Sequence, residues 1–294
     1  MIILNECEYA EQRLKNNDIG EKPYITISII AKYLYHKMGY RKKKIIEELT
    51  SFMEKSSKDY LANRHYWDGH IEKIASNAGK YELFEIDGVW ITKAEFAKIA
   101  ELQDQLLEKL AFTLLCLAKL YNLRNPNNNS WVNNEVREVF KLARISCRTD
   151  DMYEYLCELE YEGYLESPKR NDNLSNRVTF AESDGEKILL VSDFRELGYE
   201  YLKYRGGNYT VCTECGALFP NNKYGNRKFC DRCRAYTKIE QKSLICIDCD
   251  IEFTVSAKNH KSKRCPSCQK EYRDSYFRKR RSSKNVTQQI KENF

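Results

Sequence analysis

The pattern of the first ninety residues predicts helices, because apolar side chains lie at the spacing of amphipathic helices. In ISIIAKYLYHKMG and KKKIIEELTSFMEK, which occupy residues 27–39 and 42–55, apolar positions recur every three or four residues. This period predicts helices that bury one face, and Gly39 is the expected break between them.

The period then shortens to that of strands. YELFEI and VWIT flank the dipeptide Asp87-Gly88, which favours a tight two-residue turn. We therefore expect a β-hairpin over residues 81–92.

A longer apolar helix is predicted after Thr92 and ends near Tyr121. Its apolar positions lie along one stripe, which predicts the central helix of a core: Leu107, Leu110, Ala111, Leu114, Leu117 and Ala118. The Asn-rich stretch NLRNPNNNSW that follows is typical of an exposed loop.

The next segment has the element order of a winged helix-turn-helix. We predict a helix over Asn134–Ala143, a turn through RISCR and a second helix with Thr149 as its N-cap. The sequence that follows, YLESPKRNDNLSNRVTFA, has the pattern of a strand, a polar wing tip and a second strand. KILLVSD predicts another strand, FRELGYEYLKY a helix, and Gly206-Gly207 a linker. The alternative is a generic helical domain with one hairpin.

These patterns predict a mainly α protein with small β elements, in the α+β class. We divide the chain into a helical region with a terminal hairpin (residues 1–92), a winged-helix-like domain (93–205), two tandem four-cysteine zinc ribbons (208–241 and 242–272) and a basic tail (273–294).

Composition indicates a folded chain that stays out of membranes. It has 294 residues, of which 42% are hydrophobic, enough to bury a sizeable core. Its longest uncharged apolar stretch, Leu110–Ala118, is far shorter than the roughly 20 residues of a spanning helix, and Glu6 interrupts the apolar start. We therefore expect a cytoplasmic protein with reduced thiols.

Eight of the twelve cysteines form four Cys-x-x-Cys pairs, which favours metal binding over disulfides. The first two pairs are separated by fourteen residues and the last two by fifteen, the spacing of knuckles that close tetrahedral four-thiolate sites. We predict two structural Zn²⁺ ions, one held by Cys212, Cys215, Cys230 and Cys233, the other by Cys246, Cys249, Cys265 and Cys268. His260 could replace one cysteine, and redox activity is the weaker alternative.

The two quartets are also an internal repeat, because CTECGALF matches CIDCDIEF. Gly216 follows the first knuckle, where it eases the turn.

Charge is unevenly distributed along the chain. Residues 211–294 have a net charge of +10 and residues 1–210 of −4, and the basic part includes KNHKSKRC and QKEYRDSYFRKRRSSK. Basic residues neutralise phosphates while aromatic rings stack on bases, so we predict a nucleic-acid partner, DNA or RNA. The predicted contact residues are Lys261, Lys263, Arg264, Lys270, Arg273, Tyr276, Arg278, Lys279, Arg280 and Arg281. A solvated basic helix is the alternative, and it is our interpretation of the Arg41–Lys44 cluster.

The predicted second helix of the helix-turn-helix has the wrong charge for reading DNA. Between residues 150 and 162 it has six carboxylates and no basic residue, whereas base reading uses mainly Arg, Lys, Asn and Gln. We therefore predict a protein contact there, made by Asp150, Asp151, Glu154 and Glu158.

Other sequence features predict no catalytic site. HYWDGH places His65 and His70 five residues apart, whereas helical metal-ligand pairs prefer a spacing of four. Cys7, Cys116, Cys147 and Cys157 have no partner spacing, and we recognise no phosphate-binding loop or nucleophile elbow.

FKLARISCRTDDMYEYLCELEYEGYLESPKRNDNLSNRVTF, followed by FRELGYEYLKY and a Cys-x-x-Cys-Gly ribbon, resembles uncharacterised phage and prophage proteins of Gram-positive bacteria. ICIDCDIEF through CPSCQKEYRDSYFRKRR is similar to small basic zinc ribbons common in such genomes. The resemblance covers most of the chain after Phe140. It implies a mobile-element context, a bacterial host cytosol and zinc binding, and it supplies no activity.

Our leading hypothesis is a non-enzymatic, nucleic-acid-binding zinc-ribbon protein that grips the phosphate backbone. The alternative is a protein-binding inhibitor or adaptor that acts on a host nucleic-acid enzyme or ribonucleoprotein, for example an inhibitor of the anti-CRISPR type. An unrecognised nuclease or replication enzyme comes last.

Overall fold

The computed structural model describes residues 2–168, 175–237, 241–256 and 262–277. The chain divides into two compact units. Unit 1 contains residues 1–210 and 217–225, and unit 2 contains residues 211–216 and 226–294. Most of the described elements are helices and the sheets are small, so the predicted α+β class is confirmed.

Unit 1 begins with helices that share one hydrophobic cluster. They are α1 (Glu6–Asn16), α2 (Pro23–His36), α3 (Lys42–Ser56), α4 (Lys58–Ala62) and α5 (Arg64–Asn77). Ile30, Leu49, Met53 and Ile71 are almost completely buried in this cluster. Gly39 lies between α2 and α3 at φ +67°, so the predicted helix break is confirmed.

The predicted hairpin at Asp87-Gly88 is wrong. β1 (Val89–Thr92) pairs antiparallel with the distant β5 (Lys187–Val191), in the register Val89↔Val191. Gly88 has no positive φ; instead, a Cβ on Gly88 would lie 2.6 Å from the Val191 carbonyl oxygen. The glycine therefore permits the close approach of β5 and does not form a turn.

A second hydrophobic cluster surrounds α7 (Gln105–Arg124), which follows α6 (Lys93–Ala100). The predicted central helix is confirmed in α7, but the segment after Thr92 forms two helices, separated at residues 101–104, and not one. In addition, α7 is buried on all sides and not along one stripe, since every residue from Leu107 to Ala118 is buried. Thr92 and Glu95 form a capping box that begins α6, and the Asp104 carboxylate caps α7.

The elements around this cluster continue in a mixed order after the short 3-10 turn Pro126–Asn128. They are β2 (Trp131–Val132), α8 (Val136–Leu142), α9 (Thr149–Tyr161), β3 (Leu165–Glu166) and β4 (Asn176–Val178). β4 lies between β2 and β3 in an antiparallel sheet. α9 begins at Thr149, so Arg148 and not Thr149 occupies the N-cap position. The predicted wing tip at 169–174 lies outside the described residues.

The turn between α8 and α9 is held by partly buried polar contacts. Arg144 has φ +54°, and its carbonyl oxygen accepts a hydrogen bond from Lys109 Nζ at 2.9 Å. The Arg144 guanidinium pairs with Glu196, the residue before α10 (Leu197–Tyr204). Burial of Lys109 lowers the pKa of its ammonium group.

Two buried carboxylates connect distant elements of unit 1. Glu95 accepts hydrogen bonds from Lys119 Nζ at 2.6 and 2.9 Å and from the Glu182 backbone amide at 2.8 Å. Glu108 accepts one from the Tyr201 hydroxyl at 2.9 Å. Because a buried charge is costly without partners, these contacts specify how α6, α7 and α10 pack.

β6 (Tyr209–Val211) pairs with β7 (Leu218–Pro220) in a small two-stranded sheet. β7 contacts α10, and Leu218 and Phe219 are buried. In the described part of the chain, no helix has both the length and the apolarity needed to cross a membrane.

Candidate metal centres

The first cysteine quartet lies in unit 2. Cys212 and Cys215 follow β6, and Cys230 and Cys233 lie where α11 (Asp231–Thr237) begins. The four sulfur atoms all lie within 4.8 Å of one another, and Cys215 Sγ is 3.7 Å from Cys230 Sγ. All four predicted ligands of the first site are therefore brought together.

The second quartet repeats this arrangement. β8 (Gln241–Ile245) pairs with β9 (Glu252–Ser256), and the first knuckle, Cys246 with Cys249, joins them. Cys265 and Cys268 lie at the start of a helix over residues 266–277, which we call α12. The four sulfurs lie within 4.8 Å of one another, with 3.7 Å between Cys249 Sγ and Cys265 Sγ.

These distances suit a tetrahedral metal ion and exclude disulfides. Thiolates about 2.3 Å from a central zinc at tetrahedral angles are roughly 3.8 Å apart, close to both observed separations. A disulfide would need sulfurs about 2.05 Å apart. All twelve cysteines are free of disulfides. Each quartet can therefore hold one four-coordinate ion.

Backbone amides already stabilise one thiolate in each quartet. Burial raises the pKa of Cys212, but hydrogen bonds from backbone amides, the largest from Cys230, outweigh it and lower the pKa to about 6. The Cys265 amide is the main cause that lowers the pKa of Cys246 to about 6. Amide donors of this kind are the groups that support a metal-bound thiolate.

The fourth cysteine of each quartet has the opposite tendency. Burial and hydrogen bonds with Cys215 and Cys230 raise the pKa of Cys233 to about 12. Hydrogen bonds with Cys249 and Cys265 raise the pKa of Cys268. Four crowded sulfurs cannot all carry charge without a cation among them, so each quartet favours a divalent ion.

Backbone contacts show that the two quartets are structural repeats. In the first quartet, the Thr213 amide, directly after Cys212, donates to the carbonyl oxygen of Lys228 at 3.0 Å. In the second quartet, the Ile247 amide, directly after Cys246, donates to the carbonyl oxygen of Lys263 at the same distance. The residue after the second cysteine has positive φ, +68° at Gly216 and +55° at Asp250. The second repeat thus carries a non-glycine residue where the first uses glycine.

The other candidate ligands lie elsewhere. His260 falls outside the described residues, and His70 packs against the rings of Tyr24 and Tyr66. Asp68 accepts a hydrogen bond from the Tyr60 hydroxyl at 2.8 Å. In the described ranges, the two quartets are the groups of three or more His, Cys, Asp or Glu residues arranged to hold a metal.

Some predicted nucleic-acid contacts can be placed around the second quartet. Lys263, Lys270, Arg273 and Tyr276 are exposed. Arg264 is already engaged, since its Nε lies 2.5 Å from Asp248 and its guanidinium lies 4.1 Å from the centre of the Tyr272 ring. The predicted contacts Lys261, Arg278, Lys279, Arg280 and Arg281 lie outside the described residues.

The predicted protein-contact residues on α9 differ in their surroundings. Asp150, Glu154 and Glu158 are exposed, whereas Asp151 pairs with Arg148 at 3.1 Å, a contact that lowers the pKa of Asp151. Arg148 and Asp151 are three residues apart at the start of the helix, and this spacing is a signal of the pairing that the sequence already carries.

In comparisons with known proteins, no protein family, curated protein or solved structure matched this chain.

Proposed function

We propose that each quartet holds one structural Zn²⁺ and that the folded ribbons present a surface that binds nucleic acid. The observation that carries the zinc assignment is the convergence of eight sulfurs in two groups, each within 4.8 Å. Zinc suits four-thiolate sites, and four sulfur ligands leave no position for a reactive water. The ribbons are therefore structural and not catalytic, and we propose a non-enzymatic protein.

The nucleic-acid surface is proposed on α12 and the loop before it. Lys270 and Arg273 are exposed there beside the half-exposed rings of Tyr272, Tyr276 and Phe277. Cations next to exposed rings can neutralise phosphates and stack on bases. Arg264 supports this surface by contacting the Tyr272 ring. Arg278, Lys279, Arg280 and Arg281 of the basic tail follow it in the sequence.

We also propose that residues 93–205 form a winged-helix-like domain. The order β2, α8, α9, β3, β4, with β4 between the other two strands, supports it. The origin in a phage or other mobile element and the location in a bacterial host cytosol rest on the sequence resemblance.

The test is fluorescence polarisation of the zinc-loaded full chain with single- and double-stranded oligonucleotides over a series of salt concentrations. Wild-type affinity should fall steeply as salt rises. The slope of the logarithm of the binding constant against the logarithm of the salt concentration reports the number of phosphate contacts. Each basic side chain that no longer contacts a phosphate should reduce the magnitude of this slope by roughly 0.7 to 0.9. The variant K270A/R273A removes two such side chains, and replacing Arg278, Lys279, Arg280 and Arg281 by Ala removes four.

The matched control is R41A/K43A, which removes two exposed charges near the start of α3. It should leave the slope unchanged. If all three variants lowered the slope equally, or none did, binding at the ribbons would be rejected.

A protein-binding inhibitor or adaptor is the second candidate, and the exposed acidic face of α9 favours it. A pull-down from bacterial lysate with and without nuclease treatment separates the two functions, because a nucleic-acid-mediated capture disappears on digestion.

A further inference from the structure

The outward face of α9 consists of two neighbouring rows of side chains. Asp150, Glu154 and Glu158 are spaced four residues apart and form an acidic row. Tyr153, Cys157 and Tyr161 have the same spacing and form the adjacent row. Residues four apart lie above one another on a helix, so the rows run side by side along it.

Both rows face outward without partners among the described residues. All six side chains are exposed, with Tyr153 at 42% and Tyr161 at 88%. Within the described ranges, these six side chains make no ion pair, side-chain hydrogen bond or ring contact, and the charge of Glu154 acts at longer range on the Arg148 guanidinium. Singly exposed tyrosines are ordinary, but two on one helix face beside three unpaired carboxylates form a combined chemical surface.

The opposite side of α9 holds this face in place. Leu159 is fully buried, and Met152, Tyr155 and Leu156 pack partly buried against the same cluster as α7. Arg148 and Asp151 pair at the first turn. The two rows therefore lie on a helix that is already fixed by packing. Binding of a partner then requires little loss of conformational entropy in this protein.

A recess adjoins the carboxyl end of α9. Its volume is about 370 Å³, and it is lined by Asn129, Trp131, Glu166, Ser167 and Arg177. Ser167 joins it to α9 by donating its hydroxyl to Glu160 at 2.8 Å. In the sheet, Arg177 lies between Trp131 and Glu166 and pairs with the Glu166 carboxylate at 2.8 Å. The recess therefore adds a half-buried indole to the surface, while its own arginine is already neutralised.

We propose that this face of α9, with the recess at its end, is a docking surface for an arginine-bearing segment of a partner protein. A guanidinium can lie flat on a tyrosine or tryptophan ring while it pairs with a neighbouring carboxylate. The two rows offer this combination repeatedly, and the Trp131 indole adds one more ring in the recess.

Charge excludes the other occupants. Phosphates of nucleic acid and anionic lipid headgroups are repelled by the acidic row. A two-fold contact between copies of this chain would bring the same carboxylates together. The surface lies within unit 1 and does not rest on the proposed role of the zinc ribbons.

The test uses the full chain and two fluorescent twelve-residue peptides, one alternating Arg with Ser and the other Lys with Ser. The arginine peptide should bind more tightly. The variant D150N/E154Q/E158Q should weaken its binding by roughly tenfold, because exposed ion pairs contribute little individually but add together. Y153A/Y161A should remove most of the preference for arginine over lysine.

The control variant E8Q/E21Q/D184N has the same net charge as the acidic-row variant and changes three exposed carboxylates elsewhere. Peptide-resolved mass spectrometry of thiol alkylation locates the complex: saturating arginine peptide should slow modification of Cys157 and leave Cys7 on α1 unchanged. Equal weakening by both triple variants, equal binding of both peptides, or an unprotected Cys157 would each overturn the proposal. Folding of each variant is checked by its thermal unfolding curve.

Discussion

A Cβ atom on Gly198 would lie 1.9 Å from the carbonyl oxygen of Ala143, which places α10 directly against the turn between α8 and α9. Side chains essentially never approach a backbone oxygen so closely. The same turn is held from two other directions, by Lys109 and by Glu196. The position of α9, and with it the proposed docking surface, therefore depends on a glycine in a different helix.

Replacing Gly198 by Ala should lower the free energy of unfolding by about 1–3 kcal/mol or more, as expected for overpacking against backbone. Gly69 in α5 is the matched control, because nothing lies within 4 Å of its Cβ position. Gly69→Ala should raise the free energy of unfolding by up to about 1 kcal/mol through helix propensity. Urea unfolding of both variants measures the difference, and equal effects would contradict the packing argument.

Lys119→Ala should destabilise unit 1 by about 3–5 kcal/mol, because it leaves the Glu95 carboxylate buried without its cation. The Glu95 side chain has no exposed surface. Lys98→Ala is the control, since Lys98 pairs at 2.6 Å with Glu101 on the surface. Lys98→Ala should lower the free energy of unfolding by less than about 1 kcal/mol. Chemical denaturation followed by circular dichroism compares them.

Two zinc ions per chain are expected in purified protein, by elemental analysis. A chelator should unfold unit 2 and spare unit 1, because four-thiolate ribbons fold with their metal. Hydrogen exchange resolved along the chain should then show reduced protection at residues 226–237 and 241–256, and no change at α7. Fewer than two zinc ions, with all eight thiols reactive, would reject the assignment.

The residue after the second cysteine of each quartet should tune metal retention. Gly216→Ala places a side chain on a residue with φ +68°. It should weaken the free energy of metal binding at the first site by about 1–2 kcal/mol. Asp250→Gly relaxes the equivalent position of the second site and should leave its zinc held as tightly or more tightly. Competition with a chromophoric chelator measures both, and tighter binding by Gly216→Ala would show that backbone conformation is not the controlling factor.

Tyr201→Phe should change how stability depends on alkaline pH. Burial, together with Glu108, raises the pKa of Tyr201, so the folded protein keeps this proton while the unfolded chain loses it near pH 10. Stability contributed by this group is therefore present below about pH 10 and declines as pH rises further.

The Tyr201→Phe variant should show a shallower alkaline decline. It should also be less stable at pH 8 by about 1–3 kcal/mol, because Glu108 loses a hydrogen-bond donor. Tyr66→Phe, on an exposed ring, is the control and should follow the wild type. Urea titrations at pH 8 and pH 10.5 provide the comparison. An unchanged alkaline slope in Tyr201→Phe would contradict the prediction.

The sequence by itself determined the two cysteine quartets and most helices. Cys212 and Cys215 are placed by the two residues between them, and the second pair of each quartet closes the site within about twenty positions. The sequence predicts α2, α3, α7 and α9 because apolar residues recur every three or four positions within each of these segments. Such signals are readable because the contacts they specify are local in the chain.

Only the tertiary structure decided which distant segments meet. β1 had a suitable neighbour in 81–86 but pairs with β5, about a hundred residues away, because that strand completes the core over α7. Lys119 marked the edge of an apolar stretch in the sequence, whereas in the fold it neutralises Glu95. Long-range pairs such as β1 with β5 and Lys119 with Glu95 form only after the chain has closed long loops. They are stabilised by burial and by the pairing of buried charges, and no local sequence pattern encodes which residues will meet.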